Sequence, residues 1–443
     1  MRPLYFILKN LMYYGVNLFF RKKKVINAPK KFNAQTIFVV NHASAFLDPW
    51  VIAELQRPIL FFLARGDIFK AWLKPITWAA HMIPIYRTKE NGADSAEKNQ
   101  IVFQEVYRLL RKKKSILIFG EGYTDDVFIR SLKPLKKGPA RIGFGAMEAC
   151  NWQEDIKIQC SGINYADPNE FRSDVLIANA DPIHLIDYKE SYLANPTKTI
   201  LELTLKISDN LQSQLTYLEN PNLTELHNHI QSITKKGIAH NESDRSIPLE
   251  QRWKYSQKLA STINKRYSEE NSSWQDLKTS LQKYFESLQQ LGIKDQWVLN
   301  YAAGKKTHFA IRLIALLVGL PLFIIGCFHH LIPYLFLKRF TEKTFKRRVF
   351  WSGIKLTLGY LVLAAFNIAL CLFVNAYFDI IATWILWLYI IFIIPLIGLF
   401  TYQYAIYAKD FFKLLRIKTP LLASLHQQRE NCVNLMQETV KMN

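Results

Sequence analysis

The chain has 443 residues, too many for one ordinary domain. Half of them are hydrophobic and 14% aromatic, which is rich for a soluble protein, and the net charge is +21 with a pI near 9.6. So basic a chain suits a polyanionic partner. No zinc-finger spacing, RNP-like motif or recognition helix points to nucleic acid, whereas anionic lipid headgroups, phosphorylated small molecules or an acidic carrier protein fit beside the apolar segments. Cys150, Cys160, Cys327, Cys371 and Cys432 form no CxxC pair, so they read as buried thiols of a reducing compartment.

Residues 1–25 open with an apolar, aromatic stretch that ends in Arg21-Lys22-Lys23-Lys24. A cleaved signal peptide has the opposite order, charge first, so the pattern predicts an interfacial membrane helix with its basic end at lipid headgroups. Residues 26–190 alternate short apolar runs, near 36–40, 59–64, 82–86, 115–119, 156–164 and 174–179, with helical stretches. Val102, Val106, Leu109 and Leu110 mark one helix over 96–113. This alternation predicts an α/β domain, a mixed sheet flanked by helices, with its site at loops leaving the strands.

Within that domain Asn41-His42-Ala43-Ser44-Ala45-Phe46-Leu47-Asp48-Pro49 follows the first of these runs. A histidine oriented by a carboxylate can take a proton from an alcohol. The alternative is structural: Asp48-Pro49 also has the form of a helix N-cap followed by proline. No Gly-x-Ser-x-Gly elbow occurs, so a substrate hydroxyl is the expected nucleophile. Met82 to Tyr86 delivers Arg87, whose fixed fork suits a phosphate, against the alternative of a surface cation. Gly120-Glu121-Gly122 breaks the run Ile116 to Phe119; the glycines would let backbone N–H groups approach a ligand, or form an ordinary turn. Glu121 is suited to orienting a lysine, an arginine or an acceptor hydroxyl. Lys136 and Lys137 precede a small-residue helix and would steer an anion or simply be solvated. Gly162-Ile163-Asn164-Tyr165 ends a further strand.

Residues 191–305 are more polar, with amphipathic stretches near 196–218, 222–236, 247–268 and 273–291, and predict an α-helical region. Residues 306–408 predict a transmembrane helical region. Gly353 to Tyr377 and Ile380 to Tyr407 form a hairpin turning at Phe378-Asp379, with basic outer flanks that place both ends in the cytoplasm. Gly319-Leu320-Pro321, His329-His330 and Pro333 break Phe309 to Leu337, favouring a re-entrant or in-plane pair of short helices over one span, with the histidines as an interfacial polar break and not a metal site. Residues 409–443 form a cytoplasmic tail.

Four blocks in order, over about Phe32 to Tyr165, resemble the glycerolipid acyltransferase superfamily, whose motifs read Asn-His-x4-Asp, Ile-Pro-x-x-Arg, Phe-Pro-Glu-Gly and a late Val-Pro-x-Gly-Ile-x-Tyr strand. This chain has five residues between His42 and Asp48, a spacing similar to that of a branch acylating glycerol 3-phosphate or dihydroxyacetone phosphate, and Gly120 where proline is usual. In the second block Pro84 and Arg87 are in the expected places, and Gln159-Cys160-Ser161 stands where proline is expected in the fourth. The resemblance implies a membrane-bound acyltransferase. His42 would be the base, with Asp48 orienting it; Arg87, Gly120, Glu121, Gly122 and Lys136 would bind a glycerol phosphate acceptor. The donor would be an acyl-CoA or acyl carrier protein thioester, with no metal or other cofactor. The acceptor would be glycerol 3-phosphate or its 1-acyl form, in phospholipid biosynthesis at the cytoplasmic membrane if the source is bacterial. Other readings are a lyso-aminolipid acceptor, or an inactive module that binds acidic lipids.

Overall fold

The computed structural model describes residues 3–28, 35–56, 59–86, 94–239, 243–269, 271–305, 308–378 and 382–441, and divides the chain into two compact units, Met1–Arg266 and Tyr267–Asn443. The stretch 191–305 is therefore shared: its first part folds with the sheet, and the part from Tyr267 folds with the C-terminal helices.

The first unit begins with helix α1 (Pro3–Phe19), which runs into strand β1 (Phe20–Ile26). Then follow β2 (Thr36–Val40), α2 (Leu47–Gln56), β3 (Leu60–Arg65), α3 (Lys74–Ala79), β4 (Met82–Ile85), α4 (Asp94–Arg111), β5 (Ser115–Phe119), α5 (Gly138–Ala149), β6 (Lys157–Tyr165), β7 (Ser173–Asn179) and a short β8 (Ile183–His184). Helices α6 (Lys189–Ala194), α7 (Pro196–Ser213), α8 (Thr224–Thr234) and α9 (Leu249–Arg266) complete it. The sheet order is β1-β7-β6-β2-β5-β3-β4, with β8 also on β6. Strands β6, β2, β5, β3 and β4 are parallel; β7 is antiparallel to β6, and β1 is parallel to β7. The mixed sheet expected from the sequence is present.

Strand β1 is the correction. The Arg-Lys-Lys-Lys run was expected at headgroups, yet it forms an edge strand of the sheet. Lysines on an edge blunt pairing with other chains. Arg21 grips the buried Asp174 with two bonds of 3.1 and 2.9 Å, and Arg252 adds a third of 2.8 Å. Burial alone would raise the Asp174 pKa; the two guanidinium groups outweigh it and hold it below the usual carboxylate range.

The core beneath the central strands is built from Ile37, Val39, Ile116, Ile158, Phe144 and Leu110, all essentially inaccessible. On the end of β6, Gly162 lies against residue 214: a Cβ there would meet the Gln214 carbonyl oxygen at 2.5 Å. Asn164 fixes this approach, accepting from the Thr216 N–H at 2.9 Å and donating to the Gln214 carbonyl at 2.9 Å.

The second unit comprises α10 (Ser272–Leu291), α11 (Asp295–Ala302), α12 (Phe309–Thr344), α13 (Trp351–Phe378), α14 (Thr383–Leu388), a π-helical turn (Tyr389–Ile393), α15 (Ile394–Arg416) and α16 (Thr419–Thr439). Segments Phe309–Thr344, Arg348–Phe378 and Thr383–Arg416 are each long and apolar enough to cross a membrane. The expected break within 309–337 does not occur. Helix α12 runs unbroken through Pro321 and Pro333. In an apolar bundle neighbouring helices carry a helix past proline; here Tyr404 and Phe400 pack on Gly319, and Thr401 and Ile397 on Gly326.

His329-His330 likewise does not interrupt the helix. His329 is buried, with Nδ1 2.7 Å from Asn367 Oδ1 and Nε2 2.9 Å from the Tyr389 hydroxyl. Helix α13 runs antiparallel to α12, pairing Lys355 with Glu342 and Asn367 with His329. Helix α15 is also antiparallel to α12: Thr401 lies at Gly326, the Tyr404 hydroxyl donates to the Leu316 carbonyl, and Phe411 lies at Phe309. The chain thus leaves the bundle at the end where it entered. There α16 packs on α10 and α11, with Arg429 Nε 2.9 Å from the buried Asp295, which also accepts from the Tyr284 hydroxyl. The expected turn residue Asp379 lies outside the described residues.

Candidate active site

The site forms at the C-terminal ends of β2, β5 and β6, where parallel strands release their loops on one edge of the sheet. Asn41 is buried and extends the β2–β6 ladder by one step with its side chain: its Oδ1 accepts from the Ile163 N–H at 2.8 Å, and its Nδ2 donates to the Ile163 carbonyl at 3.2 Å. The next residue, His42, is thereby delivered at the strand end. Its ring stacks on Phe119, the last residue of β5, with centroids 4.0 Å apart and planes 12° apart.

His42 Nδ1 lies 2.8 Å from Asp48 Oδ2, which also accepts the Ser44 N–H at 2.9 Å. Asp48 Oδ1 accepts the Tyr165 hydroxyl at 2.8 Å. The carboxylate is fully buried, and His42 is about one-fifth exposed. With Nδ1 committed to Asp48, Nε2 is the nitrogen left to accept a proton from outside. Asp48 lies inside the first turn of α2, which begins at Leu47, and not at its N-cap, and its carboxylate is spent on His42, Tyr165 and the preceding Ser44 N–H. Between His42 and Asp48, Ala45 adopts a left-handed φ of 41° before α2 begins.

Glu121 is buried beneath this loop. Its Oε1 accepts the His42 backbone N–H at 2.6 Å, and its Oε2 accepts the Lys133 N–H at 3.2 Å. Lys133 Nζ lies 3.9 Å from Glu121 and 2.6 Å from Asp125. Burial pushes the Glu121 pKa up, against the lowering effect of those N–H groups and of Lys133. Glu121 thus fixes the main chains of His42 and Lys133, while the Lys133 ammonium is held more closely by Asp125.

The glycines are engaged internally. The Gly120 N–H donates to the Val40 carbonyl at 3.2 Å, and the Gly122 N–H to the Phe119 carbonyl at 3.1 Å. They make the turn, with Gly122 at φ 76°, and do not offer those N–H groups to a ligand. The Lys136 N–H donates to the Gly120 carbonyl at 2.9 Å while its side chain is exposed. Arg87 lies outside the described residues.

Sequence reasoning missed Phe119, Lys133 and the contact from Tyr165. Only the position of Tyr165 at the end of the last motif strand hinted at it. Arg130 was also missed: it is fully buried and donates to Asn228 Oδ1 at 2.9 Å and to the carbonyls of Ile238 and Tyr165 at 3.1 and 3.3 Å. Beside it a small, partly enclosed cleft opens between Asn41, Ala43, Phe128, Tyr165 and Thr216.

The sheet thus carries a His–Asp pair at one strand end, with no hydroxyl or thiol nucleophile bonded to the His42 ring among the described residues, an arrangement suited to general-base catalysis on a substrate hydroxyl. Residues 19–159 match the family model described as Acyltransferase. Glycerol-3-phosphate O-acyltransferase 1 of Saccharomyces cerevisiae is 33% identical over 115 residues, which cover 25% of this chain and 15% of that protein. The match thus spans only a small part of the curated relative. Among solved structures, the 1-acyl-sn-glycerophosphate (LPA) acyltransferase PlsC of Thermotoga maritima aligns over 45% of this chain and 80% of its own, at 16% identity and a TM-score of 0.28. Over its α/β domain the chain is thus similar to acyltransferases of the glycerolipid kind.

Proposed function

We propose that the protein is a membrane-bound acyltransferase that moves a fatty acyl group from a thioester, acyl-CoA or acyl carrier protein, to a hydroxyl of glycerol 3-phosphate or its 1-acyl form. The 2.8 Å pair between His42 and Asp48 carries the proposal. His42 Nε2 takes the hydroxyl proton as the oxygen attacks the thioester carbonyl carbon. The tetrahedral intermediate collapses, the carbon–sulfur bond breaks, and the imidazolium returns the proton to the leaving thiolate. Asp48 holds the imidazole tautomer and stabilises the imidazolium without taking the proton. Arg87 and Lys136 would meet the phosphate, and Glu121 would hold the His42 loop rather than the acceptor. The yeast relative's name supports glycerol 3-phosphate as the acceptor.

The three apolar helices and a second surface on the first unit support membrane attachment. Leu4, Ile7 and Tyr14 of α1 and Trp72, Ile76 and Trp78 near α3 are exposed, with Lys70 and Lys74 between them. Amphipathic aromatics flanked by lysines suit an anionic bilayer interface. The sheet domain would face the cytoplasm, where thioester donors are made.

The test is product formation by detergent-purified protein with labelled donor, offering glycerol 3-phosphate and 1-acylglycerol 3-phosphate separately. Turnover of one or both supports the reading. Turnover of neither, with the donor bound, would overturn it in favour of a phosphate-free acceptor.

A further inference from the structure

Tyr165 ends β6 and is fully buried. Its ring stacks on Phe20 at 5.8 Å and meets Phe128 edge-on at 6.4 Å, while Arg130 donates to its carbonyl at 3.3 Å. Phenol and backbone are thus held from both sides, and the hydroxyl is aimed at Asp48 Oδ1 at 2.8 Å. The other two contacts on that carboxylate, from His42 and Ser44, fall on Oδ2. Without Tyr165, Oδ1 would have no donor among the described residues, on a carboxylate that is itself fully buried.

We propose that Tyr165 is a positioning residue for the acyl transfer: it pins Asp48 through Oδ1 so that Oδ2 stays aligned on His42 Nδ1, and it draws charge off the carboxylate. This rests on the general-base reading of His42. Two consequences follow. A carboxylate that loses one of its fixed bonds can rotate, so the imidazole loses its orientation. A carboxylate that loses a donor also holds more charge, and so stabilises the imidazolium more. The other groups bearing on His42 are Asp48, Glu121 through the His42 backbone N–H, and Lys133 behind Glu121. All three are unchanged in a Tyr165→Phe protein. Burial, and then the Asp48 charge, push the phenol far above its ordinary range, so it remains a donor at every working pH.

Tyr165→Phe should lower kcat about tenfold, as expected for losing a bond to a charged group. KM should stay within about twofold, and the acid limb of the kcat profile should move up by about half a pH unit. In an Asp48→Asn background the same change should cost less than about twofold, because its partner is already altered. An equal loss in both backgrounds, or an unmoved acid limb, would overturn the proposal and leave Tyr165 a core residue. If Tyr165→Phe does not fold, 3-fluorotyrosine at position 165, a stronger donor, should move the acid limb down; no movement, or movement up, contradicts the proposal. A failure of the acyl-transfer reading is told apart by nitrogen-15 NMR of the His42 ring, which needs no turnover. Its titration must rise in Tyr165→Phe, and identical titrations would sink the proposal on their own.

Discussion

The backbone N–H of His42 donates to Glu121 Oε1 at 2.6 Å, so the carboxylate of the third motif holds the main chain of the first. Its second oxygen ties down Lys133, and the one side chain thus joins the loops leaving β2 and β5. Glu121→Ala should leave two N–H groups without their acceptor and lower kcat about a hundredfold, with a lower Tm. Glu121→Gln keeps one acceptor oxygen and should lose only about tenfold. Equal turnover in the Glu121→Ala variant and the wild-type protein would remove Glu121 from the account.

Ala45 turns the His42–Asp48 loop at a left-handed φ of 41°. Glycine visits this region freely, so Ala45→Gly should change stability by less than about 1 kcal/mol and leave turnover near wild type. Deleting Ala45 restores the commoner four-residue spacing but removes the residue on which this turn pivots. Turnover should then be lost while the melting transition persists. A fully active deletion protein would show that the dyad tolerates either spacing.

His227 tests the packing behind the site. It is buried, with Nε2 3.0 Å from the Ser256 carbonyl and Nδ1 2.7 Å from Gln231 Nε2, which is the pattern of a neutral ring donating at Nε2 and accepting at Nδ1. Burial first, and then Arg130, bring its pKa down to about 3. Below pH 6.5 the unfolded chain takes up a proton that the folded chain refuses. Stability should therefore fall as pH drops, by up to about 1.4 kcal/mol per unit. Denaturant titrations between about pH 6.5 and 5, above most carboxylates, should show this slope, and His227→Gln should flatten it. An unchanged slope in the variant would contradict a neutral His227.

The central strands, the four amphipathic helices after residue 195 and the His42–Asp48 pair were legible because each is local: a period of apolar residues or a short spacing. What was not legible depends on distant partners. The Arg21-Lys22-Lys23-Lys24 run has the composition of a headgroup-binding segment, and only Asp174, far along the chain, makes it a strand. Pro321 and Pro333 read as breaks until Gly319 and Gly326 are seen packed under α15. The glycines of the third motif suggested a ligand cradle, but their N–H groups are used by Val40 and Phe119.

Because α15 runs antiparallel to α12 and α16 packs on α10 and α11, residues on α10 and α16 should lie on one side of the membrane. In a background without the five native cysteines, Gln290→Cys and Asn431→Cys should react with an impermeant maleimide from the same side of sealed vesicles. Labelling from opposite sides would contradict this path through the bilayer.

The central claim is that His42, aligned by Asp48, is the base for acyl transfer. The most direct measurement is the single-turnover rate of thioester cleavage with acceptor present, for wild type, His42→Ala and Asp48→Asn, at matched donor binding. The account predicts that His42→Ala slows the step by at least about a thousandfold, that Asp48→Asn slows it substantially, and that donor affinity is unchanged in both. A His42→Ala protein that transfers acyl groups within about twofold of wild type would contradict it.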